Sequence, residues 1–510
     1  MHVFESLLAL LLGATALSAV ARRVNIPYPT LLAVGGAFLA FVPGAPALEL
    51  PPDLILALFV APVLLDAAYD ASFRDLRRNW IPVTSLVLGA VAVTTLAVAF
   101  AARALVPDLP WAAAVALGAL VAPPDAVAAL AVLRHVNPPH RIRMVLEGES
   151  LLNDASSLLI YRLAVAAMAA GGFSLTRAAP TFALVFVGSV AVGWLLARPM
   201  RWLTQQIHDA PSSVILQFVS TFAVWLMAER LGLSGVVTIV VFGLTLARDG
   251  SAPMPANLRV PSFAIWETAT VVLNVLAFTL VGLQLGPILE GLSPAERLTY
   301  LGAALAILGV VIVVRIGWVA AHHLAVVAAH RLSGGRTAPG DARAMAVVGW
   351  SGMRGIVSLA AALALPEGFP YRDFIRFAAF VVVLGTLLLQ GLTLGPLLRL
   401  LRLPRDTVVE SELRIARKVA LKAAMTELDG DDSPAADRLR QEYAEALGQA
   451  KDGGSPQDWP ENVLRRRLVA ASRRAIAELR TRGDIGDDAY RRAEEELDRL
   501  ELSAGAAAGG

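Results

Sequence analysis

An all-helical protein threaded many times through a membrane is the fold class this sequence predicts, and three observations predict it. Of 510 residues, 56% are hydrophobic, and the mean hydropathy is +0.62. Only 17% are charged, against about 25% in an ordinary soluble domain. Apolar runs recur along the chain near the ~20 residues that a spanning helix needs. The charge is also unevenly placed: nearly half of it lies beyond Leu403. This predicts a transmembrane domain over residues 1–404 and a soluble, charged helical tail over 405–510. There is no cysteine, which excludes disulfides, thiolate metal sites and cysteine nucleophiles. The net charge of +2 comes without a long basic run, so nothing points to a nucleic-acid partner. The apolar N-terminus lacks a preceding basic region, and Arg22-Arg23 follow it. That pattern reads as a retained first span rather than a cleaved signal.

Thirteen candidate spans follow, at 3–20, 27–44, 54–69, 81–102, 111–133, 146–170, 181–203, 213–229, 231–247, 268–288, 299–329, 343–365 and 374–401. The eighth and ninth are parted only by Glu229-Arg230-Leu231-Gly232. With the N-terminus outside, Arg22, Arg23, Arg77, Arg78, Arg141, Arg143, Arg198, Arg201, Arg399 and Arg402 all fall on the inner side. Few arginines fall on the other side, and an error in the count would scramble this bias. The expected placement is therefore a multi-pass protein of the cell (inner) membrane with a cytoplasmic tail.

Two of the spans cannot be continuous helices. The fifth carries Pro123-Pro124-Asp125 at its middle, and two prolines remove two helix hydrogen bonds and clash with the turn before them. The twelfth carries Gly349-Trp350-Ser351-Gly352-Met353-Arg354-Gly355 at a comparable depth, a poor helix centre. If spans 2–6 and 9–13 are repeats, each interruption is the fourth element of its repeat, and the repeats run in opposite directions. Paired interrupted helices in inverted repeats indicate a secondary transporter with its site near the midplane.

Ionisable groups at membrane depth are costly and mark ion pathways. The sixth span begins Leu146-Glu147-Gly148-Glu149-Ser150-Leu151-Leu152-Asn153-Asp154. Ser150, Asp154, Ser157 and Tyr161 share one helix face, with Glu149 and Asn153 on the adjacent stripe. Asp125, at the break of the fifth span, is placed to face them. Carboxylates, an amide oxygen, a hydroxyl and carbonyls freed by the break form a hard-oxygen set that suits Na⁺, Li⁺ or K⁺. Such a carboxylate can hold a proton or a metal cation, but both poorly at once. Arg315 and Arg354 are buried cations that need counter-charges, and Glu149 is a partner for Arg315. Asp66 in the third span is a further buried acid of structural character. Arg162 is expected to snorkel, and Glu147 to sit at the interface.

Those residues carry a resemblance. Gly148-Glu149-Ser150-Leu151-Leu152-Asn153-Asp154 resembles the signature of the first family of monovalent cation:proton antiporters, the sodium/proton exchangers of bacterial type. Pro124-Asp125-Ala126-Val127-Ala128, Gly352-Met353-Arg354-Gly355 and Leu64-Leu65-Asp66-Ala67-Ala68-Tyr69 are similar to further segments of that family, in order along residues 1–404. The resemblance implies a homodimer with a dimerisation domain and a moving core in which two interrupted helices cross at the ion site. It implies Asp154 as the essential ion ligand and proton carrier, with Asp125, Asn153, Ser150, Glu149 and the Pro124 carbonyl around it. It also implies a Glu149–Arg315 ion pair, and it gives Arg354 a place in the core. The family's threonine and proline about the aspartate are Pro124 and Ala126 here, which bears on selectivity. Asparagine beside aspartate implies electroneutral exchange of one Na⁺ or Li⁺ for one H⁺, with no cofactor and no enzymatic activity, in the service of pH homeostasis.

K⁺/H⁺ exchange remains open, since the same oxygens serve both ions. Gly349-Trp350-Ser351-Gly352 fits the nucleophile pattern of an intramembrane serine protease, but spans 12 and 13 supply no histidine. In the tail, Val408–Leu428 and Asn462–Leu479 have helical spacing. Gly430–Pro434 and Gly453–Pro456 read as breaks, and Ala504–Gly510 as disordered. The tail reads as a solvated appendage or as a sensor of pH or of a partner whose identity the residues do not give.

Overall fold

The computed structural model describes residues 2–24, 26–42, 51–133, 138–170, 175–249, 255–332, 341–403, 406–452, 459–482 and 484–503. Every regular element among them is helical, and no strand occurs. This follows from the setting, because the hydrocarbon core offers a backbone no partner and a helix satisfies its own N–H and C=O groups. Among the described residues, seven helices are long and apolar enough to cross a membrane: Trp80–Leu105, His140–Ala169, Pro180–Gln205, Ala210–Arg230, Ala256–Glu290, Pro294–Leu332 and Arg372–Leu401. Shorter apolar helices are Tyr28–Leu39, Trp111–Val121 and Gly235–Arg248, and the second of these ends at an interruption.

The interruptions have visible causes. The fifth expected span divides into Trp111–Val121 and Ala126–Leu133, with Pro123-Pro124 between the halves. The twelfth divides into Ala342–Trp350 and Ile356–Leu363, with residues 351–355 non-helical. Two π-helical stretches, Leu56–Val60 and Ser85–Ala90, interrupt the third and fourth spans. The short linker between the eighth and ninth spans is a genuine turn: Ala210–Arg230 ends, Gly232 takes a φ of 70°, and a new helix starts at Gly235. That φ is open to glycine without strain.

Helix packing relies on small residues. Tyr28–Leu39 lies against Ala256–Leu283, and Gly36 there meets the backbone of Thr279 and Gly282 so closely that neither glycine has room for a side chain. Close backbone approach through glycine is the usual route to tight packing in lipid. The first half-helix, Trp111–Val121, packs on Val91–Leu105 and on His140–Ala169, the helix that carries the acidic motif. All its residues from Ala116 to Val121 are buried.

The chain divides into two compact units, Met1–Arg405 and Asp406–Gly510. The second consists of the helices Val408–Glu427, Pro434–Asp452, Pro460–Arg482 and Asp487–Ser503. A break lies between the first two, where Gly430 has a φ of 88°. The break expected at Gly453–Pro456 and the terminal segment Ala504–Gly510 fall outside the described residues.

Candidate ion site

The two interruptions meet. The Asp125 N–H donates to the Met353 carbonyl at 2.6 Å, a backbone bond between one broken span and the other. Gly355 lies against the Asp125 carboxylate so closely that a Cβ there would overlap it. Gly355 has a φ of −131°, which any residue adopts, so the requirement is one of space alone.

Arg354 organises the crossing. Its side chain is fully buried. Nε donates to the Val121 carbonyl at 2.9 Å, Nη2 to the Ala122 carbonyl at 3.2 Å, and Nη1 to the Gly352 carbonyl. Its backbone N–H donates to Thr386 Oγ1 at 3.0 Å. Val121 and Ala122 close the first half-helix, and Gly352 follows the end of Ala342–Trp350. One guanidinium therefore serves the orphaned carbonyls at two half-helix C-termini, where a cation is favoured. The opposite polarity occurs at the next half-helix: Asp125 Oδ1 accepts from the Val127 N–H at 2.8 Å and so caps Ala126–Leu133.

The helix His140–Ala169 holds the first break in place. Asn153 Nδ2 donates to the Pro124 carbonyl at 3.0 Å, and Ser157 Oγ donates to the Ala119 carbonyl at 2.7 Å. Asn153 is fully buried, and its Oδ1 has no hydrogen-bond partner among the described residues. On the same helix, Asp154 and Ser150 line a cavity of about 50 Å³, together with Pro123, Pro124, Asp125 and Gly355. The structure thus brings Asp154, Asp125, Ser150 and Pro124 to one space.

Glu149 is not among the residues that line it. Both its oxygens point to Arg315, at 2.6 Å from Nη1 and 2.9 Å from Nη2, and both side chains are at most 3% exposed. Arg315 Nη2 also donates to the Val348 carbonyl at 3.1 Å. Glu149 was expected both as an ion ligand and as this arginine's partner, and its carboxylate is committed to the arginine. Asp66, half-buried on Ala61–Asp70, likewise does not line the cavity.

Several polar groups found by the structure carried little signal in the sequence. Ser85–Ala90 is π-helical, and its loosened backbone takes bonds from outside: Ser156 Oγ donates to Val87 O at 2.9 Å and Trp318 Nε1 to Ser85 O at 3.1 Å. His322 Nδ1 lies 3.1 Å from Ser85 Oγ. Arg162 Nη2 donates to both oxygens of Glu229 at 2.8 Å, and its Nη1 donates to the Leu233 carbonyl at 3.2 Å. Glu147 pairs with Arg143 at 2.7 Å. Asn274, on Ala256–Leu283, lines the cavity as well. It was not singled out because it sits alone in a long apolar run. Ser351 Oγ is buried without a hydrogen-bond partner among the described residues.

Comparison with known proteins identifies the family. The family model "Sodium/hydrogen exchanger, transmembrane" matches residues 7–400. An uncharacterized Na⁺/H⁺ exchanger of Mycobacterium tuberculosis is 31% identical, over 98% of this chain and 95% of its own. A sodium, potassium, lithium and rubidium/H⁺ antiporter of Bacillus pumilus is 29% identical, over 87% of this chain and 69% of its own. In fold, the chain is similar to the sodium proton antiporter MjNhaP1 of Methanocaldococcus jannaschii, with a TM-score of 0.60 and 18% identity over 79% of this chain and 100% of that one. A family model that spans most of the chain, together with a relative that matches nearly its whole length, places the protein: it is an integral membrane protein of the sodium/hydrogen exchanger family.

Proposed function

We propose that this chain exchanges Na⁺ or Li⁺ for H⁺, one for one, with both ions competing for Asp154. The observation that carries the reading is that Asp154 and Asp125 share one small cavity where two interrupted helices meet. Interrupted helices of this kind put half-helix ends and freed carbonyls at a midplane ion site. Asp125 Oδ1 is engaged by the Val127 N–H, which leaves Asp154 as the carboxylate free to alternate between proton and cation. Ser150 and the Pro124 carbonyl would add neutral oxygens. Asn153 holds the Pro124 carbonyl in place, and Glu149 with Arg315 braces the core behind it. The transported ions are substrates, and the reading requires no resident cofactor and no enzymatic step.

The same reading takes the chain as thirteen spans with inverted repeats in spans 2–6 and 9–13. Its N-terminus would lie outside, its tail in the cytoplasm and its body in the inner membrane, as a homodimer that serves pH homeostasis. Residues 405–510 would form the appended, regulatory part. The cation range of the Bacillus pumilus relative makes K⁺/H⁺ exchange the second reading. Proton movement in proteoliposomes under one imposed pH gradient, with Na⁺, Li⁺ and K⁺ compared as initial rates, separates the two. Asp154→Asn should assemble normally and abolish exchange. Cation-dependent proton flux that persists in that variant would overturn the assignment.

A further inference from the structure

The cavity at the crossing has walls that the acidic motif does not build. Phe59, Val60 and Leu64 form part of them, and the helix Ala256–Leu283 contributes Asn274, Ala277 and Phe278. The last three are spaced i, i+3 and i+4, so they share one helix face. Among the lining residues of these two segments, Asn274 is the single polar side chain. One turn earlier, Thr270 closes its hydroxyl on its own helix, with Oγ1 at 3.0 Å from Trp266 O and 3.1 Å from Glu267 O. Asn274 has no such bond among the described residues. An amide at membrane depth is costly unless something satisfies it, and what lies before Asn274 is the space shared by Asp125 and Asp154.

We propose that Asn274 Oδ1 is a neutral oxygen ligand of the transported cation, acting directly or through one water; the proposal rests on the exchange reading above. A cavity of about 50 Å³ exceeds the ~10–15 Å³ that one water occupies, so an ion and a bridging water fit. Amide oxygens suit hard cations. The amide does not titrate, so it strengthens cation binding without adding a second place for a proton. It therefore tunes which cation is held and how tightly, while Asp154 sets the competition with H⁺.

The test compares the parent with Asn274→Ala and Asn274→Gln in proteoliposomes, with initial rates against Na⁺, Li⁺ and K⁺ concentration at two pH values. Asn274→Ala should raise the KM for the preferred cation about fivefold, the scale of one lost neutral contact. Vmax and the pH dependence at saturating cation should stay as in the parent, and Asn274→Gln should recover part of the affinity. Asn274→Leu, apolar and similar in volume, reads the same quantity if the alanine variant does not assemble. An unchanged KM for all three cations, or a loss confined to Vmax, overturns the proposal. An unmodified protein that moves no protons in response to any of the three refutes the exchange reading, and this inference with it.

Discussion

Replacing Glu149 with glutamine tests the buried pair most directly. The substitution keeps the volume and removes the charge. In the parent, Arg315 meets both Glu149 oxygens at 2.6 and 2.9 Å, with the two side chains at most 3% exposed. The Val348 carbonyl at 3.1 Å is the third acceptor, and Arg315 Nε is already without a partner among the described residues. With both side chains this buried, bulk water cannot replace the carboxylate. Removing one partner of such a buried pair costs about 3–5 kcal/mol, because the other charge is left uncompensated. Arg315→Met alone should cost a similar amount by stranding Glu149. The double variant Glu149→Gln/Arg315→Met removes both charges and should be markedly less destabilised than the two single effects added together. The assay is thermal unfolding in detergent, followed by loss of monodispersity, with the coupling read from the double-mutant cycle. Single variants that unfold within about 1 kcal/mol of the parent, or a double variant that shows simple additivity, would refute the reasoning.

Three further outcomes follow from the crossing and its surroundings. Gly355→Ala places a methyl group on the Asp125 carboxylate; exchange should fall at least ~10-fold in proteoliposomes while the protein still assembles, since overpacking costs about 1–3 kcal/mol. Arg354→Lys cannot span the Val121, Ala122 and Gly352 carbonyls together, and each buried group left unpaired costs about 1–3 kcal/mol, so the unfolding temperature and the exchange rate should drop together. On the loop helix Phe73–Arg78, burial alone would raise the Asp75 carboxyl, but hydrogen bonds from Ser72 and His140 and the charges of Arg74 and His140 outweigh it and hold it below the ordinary value of 3.8. A lowered carboxylate stabilises the fold above its unfolded-state value and loses that contribution as pH falls through its folded value; the stability gap between the parent and Asp75→Asn should thus be present above pH 3.8 and close as pH falls below it.

The sequence made the interruptions legible because they are chemical: Pro123-Pro124 and the glycines about Arg354 cannot sustain a helix, and the structure breaks at both. The pairing of Glu149 with Arg315, 166 positions apart, was legible for a different reason. Charges are so scarce in the apolar body that each buried one has few possible partners. Periodicity placed Ser150, Asp154 and Ser157 on one face, but could not say that Ser157 would bond to Ala119 while Ser150 and Asp154 lined a cavity. The π-helical stretches were not legible. Ser85–Ala90 has ordinary helical composition, and its altered register answers to Trp318 and Ser156 on other helices. Asn274 escaped for the same reason, since its meaning lies in which helix its face meets. Glu149 was assigned two roles because spacing reports proximity to a motif, not where both carboxylate oxygens point.

The bond from the Asp125 N–H to the Met353 carbonyl has one more consequence. It fastens the two broken spans to each other, and Arg354 adds further stitches across the same gap. Any motion that opens the cavity first to one side of the membrane and then to the other must carry this fastened piece as a whole. The oxygens those spans supply, the Asp125 carboxylate and the Pro124 carbonyl, would then keep their mutual spacing in both orientations. Any difference in affinity between the two faces would then come from groups outside these two spans, such as Asn274.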